Sequence, residues 1–190
     1  DQLLAGFAEG DAISHDARLL QAAFRELGLE SEIFAPPAHI EPRAADRVRP
    51  LADYAGRADD VAILHDALAP EAARAFRETP ARRVLRYHNI TPAAFFRGFD
   101  DALASRLAAS RATLRATAES AAAVWSDSAF NASELAGWQV PKSRVLPLLF
   151  GEPAAMPPDP RVLARVSGPL ANILFVGRLA PNKRIEELIL

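Results

Sequence analysis

The chain alternates between short apolar segments rich in β-branched residues and longer segments with helical periodicity, and this alternation constrains its fold most. Apolar residues recur every three or four positions over 11–28 and 100–119, as in helices that pack on one side. Strands are predicted at residues 2–5, 31–35, 60–66, 83–88, 122–126 and 144–148. Such alternation indicates a parallel sheet, because parallel neighbours need crossover connections. We therefore predict an α/β, doubly wound domain over residues 1–150.

A proline-rich stretch interrupts this alternation near residue 150. Six of the 15 prolines fall between Pro147 and Pro169, which predicts an extended linker over 151–170. A strand predicted at 172–177 and a helix that begins near Pro181 indicate the start of a second domain, 171–190. Because the sequence ends inside this amphipathic pattern, we expect a fragment of a larger protein whose C-terminal domain is missing.

Composition narrows the function classes. The net charge of -2 and the pI near 6.1 argue against a nucleic-acid partner. The chain has no cysteine, which excludes disulfides and thiolate chemistry, and it has no apolar run near the ~20 residues that span a bilayer. We expect a cytoplasmic protein. The aromatics of 95–99 with Arg106, Arg111 and Arg115 suggest peripheral contact with the inner face of the membrane, but a solvated helix face is the favoured interpretation.

The segment 173–189 contains the most informative charges. Arg178 and Lys183 lie at the carboxyl end of the predicted strand and against the start of the predicted helix. Ligands of open α/β sheets bind at that place, and helix amino termini attract anions. The two cations therefore indicate a site for a diphosphate, although solvated loop charges are the alternative interpretation.

The pattern Gly177-Arg-Leu-x-Pro-x-Lys183 resembles the start of the donor-binding domain in family-4 (group 1) retaining glycosyltransferases. The resemblance implies a GT-B architecture of two Rossmann-like domains, with Arg178 and Lys183 on the diphosphate of a nucleotide sugar. It also implies transfer of a hexosyl unit to a carbohydrate or lipid-linked acceptor with retention, without a cofactor. The departing diphosphate would draw off the acceptor proton.

The segment Gly10-Asp-Ala-Ile-Ser-His-Asp16, after the first predicted strand, resembles the family's glycine loop. The resemblance implies that the backbone at Gly10 approaches the acceptor and the donor phosphates. For the Asp11 and Ser14 side chains, capping of the following helix is the favoured interpretation.

The segment Tyr87-His-Asn-Ile-Thr-Pro92 follows a predicted strand, in a position that resembles the family's active-site histidine. We expect His88 to be a neutral imidazole that positions the donor, and a purely structural histidine is the alternative. The stretch 125–135 resembles a strand-to-helix turn in the family. There, we expect Ser126, Asp127 and Ser128 to cap a helix, and Asn131 and Glu134 only to lie on its first turns.

Other chemistry receives less support from the sequence. The residues around His15 and His65-Asp66 suggest a metal site or a general base, but no pair has the spacing of metal ligands, so we expect no metal. The chain lacks a Gly-x-Gly-x-x-Gly motif, which disfavours a dehydrogenase. The alternatives are a non-catalytic glycosyltransferase-like subunit and, with less support, a flavodoxin-like signalling domain. The family's distal pair of glutamates is expected beyond Leu190, and the chain alone is expected to be inactive.

Overall fold

A computed structural model describes residues 1–141, 143–151 and 157–189. It divides the chain into two compact units, Asp1–Phe150 and Gly151–Leu190, and each is described here by itself.

The first unit is built on a single seven-stranded sheet in which every pair of neighbouring strands is parallel. The strands are β1 (Gln2–Leu3), β2 (Ile33–Ala35), β3 (Arg49–Pro50), β4 (Val61–Asp66), β5 (Arg82–Tyr87), β6 (Ala123–Ser126) and β7 (Arg144–Val145). Their spatial order is β3-β2-β1-β4-β5-β6-β7. This order reverses direction between β1 and β4, as in a Rossmann-like doubly wound sheet, so the predicted fold class is confirmed.

Four α-helices flank this sheet: α1 (Ala12–Glu26), α2 (Pro70–Glu78), α3 (Asp101–Glu119) and α4 (Ala129–Glu134). The predictions of α1 and α3 are confirmed to within about two residues. Helix α4 begins directly after Ser128, because the Ser128 side chain accepts from the Asn131 amide and caps the helix there.

The centre of the sheet forms where β4 and β5 bury apolar residues and have strands on both sides. Ile63, Leu64 and Leu85 are at most 3% exposed. A second part of the core lies where α1 packs on β1 and β2, and it includes Leu4, Phe7, Ala17, Ile33 and Ala35. Helix α1 ends at Glu26, and Gly28 has a φ of 78° that suits glycine at a helix end.

Strands β3 and β7 differ most from the prediction. The two-residue strand β3 was not predicted, and its Pro50 is tolerated because β3 lies at the edge of the sheet. Strand β7 is shorter than the predicted 144–148. Pro147 has no N–H to donate, and the carbonyls of Leu146 and Pro147 accept from the Arg86 side chain.

The second unit departs further from the sequence-based expectation. Its described part contains helix α5 (Pro160–Val166), inside the stretch predicted as an extended linker, because Asp159 caps a helix that begins with proline. The prediction of a strand at 172–177 is wrong, since no described strand lies beside this segment and its backbone is irregular. Beyond it lie two 3-10 turns, Pro181–Lys183 and Ile185–Leu188, where a helix was predicted.

Candidate functional site

The described polar groups form a dense cluster at the carboxyl ends of β4, β5 and β6. His88 is the first residue after β5, and its side chain is 2% exposed. Its Nδ1 lies 2.8 Å from Asp127 Oδ2, just after β6, and its Nε2 lies 2.9 Å from His65 Nδ1 on β4. Both ring nitrogens of His88 are therefore hydrogen-bonded inside the protein, and the sugar contact expected of this ring stays a prediction.

His65 is the second imidazole of the cluster and is completely buried. Its Nε2 lies 2.9 Å from Gln2 Oε1 on β1. Burial lowers the pKa of His65 well below its usual value, and the charges on His88 and Arg86 act in the same direction. His65 is therefore neutral at physiological pH.

A buried ion pair lies beside these rings. Arg86 on β5 donates through Nε and Nη2 to the two oxygens of Asp16 on α1, at 2.5 and 2.8 Å, and both side chains are fully buried. Asp16 also accepts from the Leu149 amide at 2.8 Å, and Arg86 donates to the carbonyls of Leu146 and Pro147 at 3.2 Å. The pair thus fastens the last residues of the first unit to the sheet.

The chemistry of these donors allows a test for a metal site. One ligand atom each from Asp16, His65 and His88 lies within 4.8 Å of the others. However, both Asp16 oxygens are already bound by the Arg86 guanidinium, and the facing nitrogens of the two histidines bond to each other. A cation there would lie against a guanidinium and would have to break these bonds. The residues as arranged do not fit a metal ion.

The turn after His88 is held by a second network, centred on Glu134 of α4. Asn89 has a φ of 75°, a left-handed conformation that asparagine adopts more readily than most residues. Its amide nitrogen donates to Glu134 Oε2 at 3.0 Å and to Asn131 Oδ1 at 3.1 Å. Tyr87 donates to the same glutamate oxygen at 2.9 Å. These bonds fix the backbone where β5 ends.

Arg111 of α3 completes this second network. It donates to Glu134 Oε1 at 2.8 Å and also to the Ile90 carbonyl. The bond to Glu134 raises the pKa of Arg111, and burial raises the pKa of Tyr87. Glu134 is therefore a shared acceptor for three side chains, and the expectation that it only lies on a helix surface is wrong.

The expectation that capping explains residues 126–128 is right for one of the three. Ser128 caps α4, as described above. The Asp127 carboxylate instead bonds to His88, and Ser126 Oγ lies 2.7 Å from Ser143 Oγ. The second Asp127 oxygen, Oδ1, is buried without a hydrogen-bond partner among the described residues, at 3.8 Å from Arg86 Nη2.

The loop between β1 and α1 matches its capping interpretation. Asp11 Oδ2 accepts from both the amide and the hydroxyl of Ser14 at 2.8 Å, so these two residues form the start of α1. Gly10 has a φ of 79°, and nothing within 4 Å would touch an added Cβ. Glycine is needed at this position for the backbone conformation, and contact of Gly10 with phosphates stays a prediction.

The predicted phosphate residues lie in the second unit, and both side chains are exposed. Lys183 ends the 3-10 turn that Pro181 begins. Arg178 follows the irregular segment 172–177. An added Cβ at Gly177 would come within 2.9 Å of the Phe175 ring, so glycine allows this ring to pack on the backbone. Diphosphate binding by Gly177, Arg178 and Lys183 stays a prediction.

Two of the three arginines considered for membrane contact have acidic partners. Arg111 bonds to Glu134, and Arg115 bonds to Glu119 at 2.8 Å, one helical turn away. Arg106 is exposed, as are Phe95 and Phe99, at 42% and 70%. No helix among the described residues is long and apolar enough to span a membrane.

The sequence missed several members of the cluster. Their common signal is a charged or amide side chain inside an otherwise apolar strand or helix stripe, where burial demands a partner. The residues in question are Gln2, Asp16, Arg86 and Arg111. Comparisons of the chain with protein-family models, with curated proteins and with solved structures gave no match.

Proposed function

We propose that the chain is part of a glycosyltransferase that moves a hexosyl unit from a nucleotide-diphosphate sugar to a carbohydrate or lipid-linked acceptor with retention. The observation that carries this proposal is the polar cluster around His88 at the carboxyl ends of the central strands. In a doubly wound sheet, ligands bind outside these strand ends, near the point where the strand order reverses. The likeness of the 177–183 segment to a donor-binding motif adds the diphosphate.

The cluster suggests how the first unit contributes to such a reaction. The turn from Tyr87 to Ile90 is held on one side by Asp127 and on the other by Glu134. It therefore offers a fixed surface at the carboxyl ends of the central strands. Pre-organised groups lower the barrier of a transfer reaction because they need not reorganise as charge develops. The proposed role of His88 is to position the donor through this turn, and the acceptor would lie against the same unit.

The leaving group belongs to the proposed role of the second unit. Arg178 and Lys183 would stabilise the charge that develops on the departing nucleoside diphosphate. Neither needs a metal ion for this, since two cations and backbone amides supply the charge. The proposed location is the cytoplasm, with the acceptor at the inner face of the membrane if it is lipid-linked.

The decisive experiment measures transfer and donor binding together, with protein that contains this chain. UDP-, GDP- and dTDP-sugars would be tested for thermal stabilisation of the protein and for hydrolysis or transfer. Turnover with one donor supports the proposal. Saturable donor binding without turnover supports the alternative of a non-catalytic subunit, and no binding to any donor contradicts both.

Lys183→Ala tests the diphosphate assignment directly. We expect turnover to fall roughly 100-fold or more with the fold intact, because one charge-stabilising donor is lost from the transition state. Lys142→Ala is the matched control, since Lys142 is the only other lysine of the chain. Equal activity of the two variants would remove Lys183 from the proposed site.

A further inference from the structure

Four side chains form a continuous line of hydrogen bonds across the sheet: Gln2, His65, His88 and Asp127. The successive distances are 2.9 Å from Gln2 Oε1 to His65 Nε2, 2.9 Å between the facing histidine nitrogens, and 2.8 Å from His88 Nδ1 to Asp127 Oδ2. Each bond needs one hydrogen, so the protons of the line can be counted from its two ends.

At the first end of the line, the orientation of the Gln2 amide determines which atom holds the proton. Its Nε2 lies 2.9 Å from the Ala17 carbonyl, which can only accept, so the amide cannot be turned round. Its Oε1 therefore faces His65, and this oxygen is also only an acceptor. His65 Nε2 must carry a proton.

The other end is fixed by Asp127. An ionised carboxylate only accepts, so His88 Nδ1 must carry a proton. The Arg86 guanidinium, a cation, lies with Nη2 at 3.8 Å from the second Asp127 oxygen. Between the rings, one of the two facing nitrogens must donate to the other. The two imidazoles together hold three ring protons, one more than two neutral rings hold.

The surroundings decide which ring takes the extra proton. His65 has no exposed surface, and a charged ring there would lie beside the Arg86 guanidinium. The Asp16 carboxylate lies 3.8 Å from His65 Nδ1, but its charge is already paired with that guanidinium. His88 instead lies against the Asp127 carboxylate. We propose that His88 is an imidazolium that donates to both His65 and Asp127, and that Gln2 and His65 are positioning residues that hold it in this state.

Charge balance in the cluster supports the same assignment. The charged groups close to the two rings come from α1, β5 and the end of β6, and they are Asp16, Arg86 and Asp127. With His88 protonated and His65 neutral, the cluster has two negative and two positive charges. A neutral His88 would leave one negative charge without compensation in a buried place, which is costly.

This assignment goes beyond the proposed function, because it follows from the hydrogen bonds and holds whatever the substrate is. An imidazolium with both N–H groups occupied neither abstracts a proton nor binds a metal. It replaces the expectation of a neutral ring at His88. Its charge is matched by Asp127, so it adds no net positive charge against a cationic transition state.

Nitrogen-15 NMR of the histidine rings tests the proposal on the whole chain at neutral pH. The chain has only four histidines. His15→Asn and His39→Asn variants identify the signals of two rings, and through-bond correlations from each remaining ring to its own backbone assign the other two to His65 and His88. We expect two protonated nitrogens on His88, and one protonated and one bare nitrogen on His65. An unprotonated ring nitrogen on His88, or two protonated ring nitrogens on His65, would overturn the proposal.

Asp127→Asn gives a second measurement. The asparagine carries no charge, and its amide can turn so that its nitrogen donates to His88 Nδ1. The line then no longer requires a third ring proton, so we expect one His88 nitrogen to lose its proton signal at neutral pH. Asp46→Asn, at an aspartate whose side chain is 81% exposed, is the matched control and should leave the spectrum unchanged. A doubly protonated His88 in a folded Asp127→Asn variant would contradict the role given to Asp127. If this variant does not fold, the unmodified chain still decides the assignment.

Discussion

Two segments of similar composition, one in each unit, differ in structure, because one forms a buried strand and the other forms no strand. Residues 61–66 of the first unit form strand β4, where Ile63 and Leu64 are 3% and 0% exposed. Residues 172–177 of the second unit are equally apolar, yet Ile173 and Leu174 are 88% and 85% exposed and no strand forms. Both segments were predicted as strands from the same pattern.

The difference lies in what surrounds the two segments. Strand β4 has β1 on one side and β5 on the other, so its backbone groups are paired and its side chains are covered on both faces. The segment 172–177 has no such neighbour among residues 157–189. An apolar segment becomes a strand only where other strands satisfy its backbone, and this requirement is not local.

The largest expected effect is on stability. It compares the loss from breaking a buried ion pair of the first unit with the loss from breaking an exposed ion pair of the second unit. Arg86→Met leaves the Asp16 carboxylate buried without its cationic partner, and we expect a loss of about 4 kcal/mol in the free energy of unfolding. Arg184→Met removes the ion pair with Glu187, in which the two side chains are 61% and 52% exposed. We expect this variant to lose less than about 1 kcal/mol in the free energy of unfolding.

Urea denaturation followed by far-ultraviolet circular dichroism measures both losses, because this signal reports on backbone structure in both units. Equal losses of unfolding free energy in the two variants would mean that burial does not make the Arg86–Asp16 ion pair more important for stability than the exposed pair.

A smaller effect is expected from Asp66, at the end of β4. Burial raises its pKa to about 7, although Arg77 partly opposes this. Since the folded-state pKa is higher than that of the unfolded chain, the carboxyl destabilises the fold as pH rises from about 4 to about 7. Asp66→Asn should therefore stabilise the protein more at pH 8 than at pH 5.

We expect this difference to be about 2 kcal/mol, because local relaxation lowers the cost below the ~4 kcal/mol that the whole pKa change represents. Urea midpoints of both proteins across this pH range measure it. A parallel pH dependence in the two proteins would show that Asp66 does not ionise as inferred.

The smallest effect compares two helix caps. Asp11 caps the packed helix α1, and Asp159 caps α5, which has no buried residue in the structure. Asp11→Ala should lower the free energy of unfolding by about 1 kcal/mol. Asp159→Ala should reduce helical circular dichroism slightly without moving the unfolding midpoint, because α5 contributes no packing. A shifted midpoint for Asp159→Ala would show that α5 is part of the cooperative fold.

Much of the first unit could be predicted because its signals are local. The stripe on α1, the periodicity of α3 and the apolar runs of β4 and β5 each specify an element within a few residues. The edge strand β3 was missed because two residues that include Pro50 carry no periodic signal. It forms only because β2 lies beside it.

The candidate site could be predicted only in part. The position of His88 after a predicted strand, together with the resemblance of this place to a family's active-site histidine, selected it. Its partners come from distant segments, since His65 lies 23 residues away and Asp127 lies 39 residues away. No local pattern pairs such residues. Asp127 was expected to cap a helix, because an aspartate before a helix has that role in most local contexts.

The sequence by itself determined the alternation of strands and helices, and with it the parallel sheet, since crossover connections leave few other arrangements. It also determined where the first unit offers polar side chains, at the ends of its apolar strands. The tertiary structure decided which apolar segments become strands and which proton each polar group holds. Both depend on neighbours far away in the chain, because a backbone amide and a buried imidazole alike take their state from the groups that surround them.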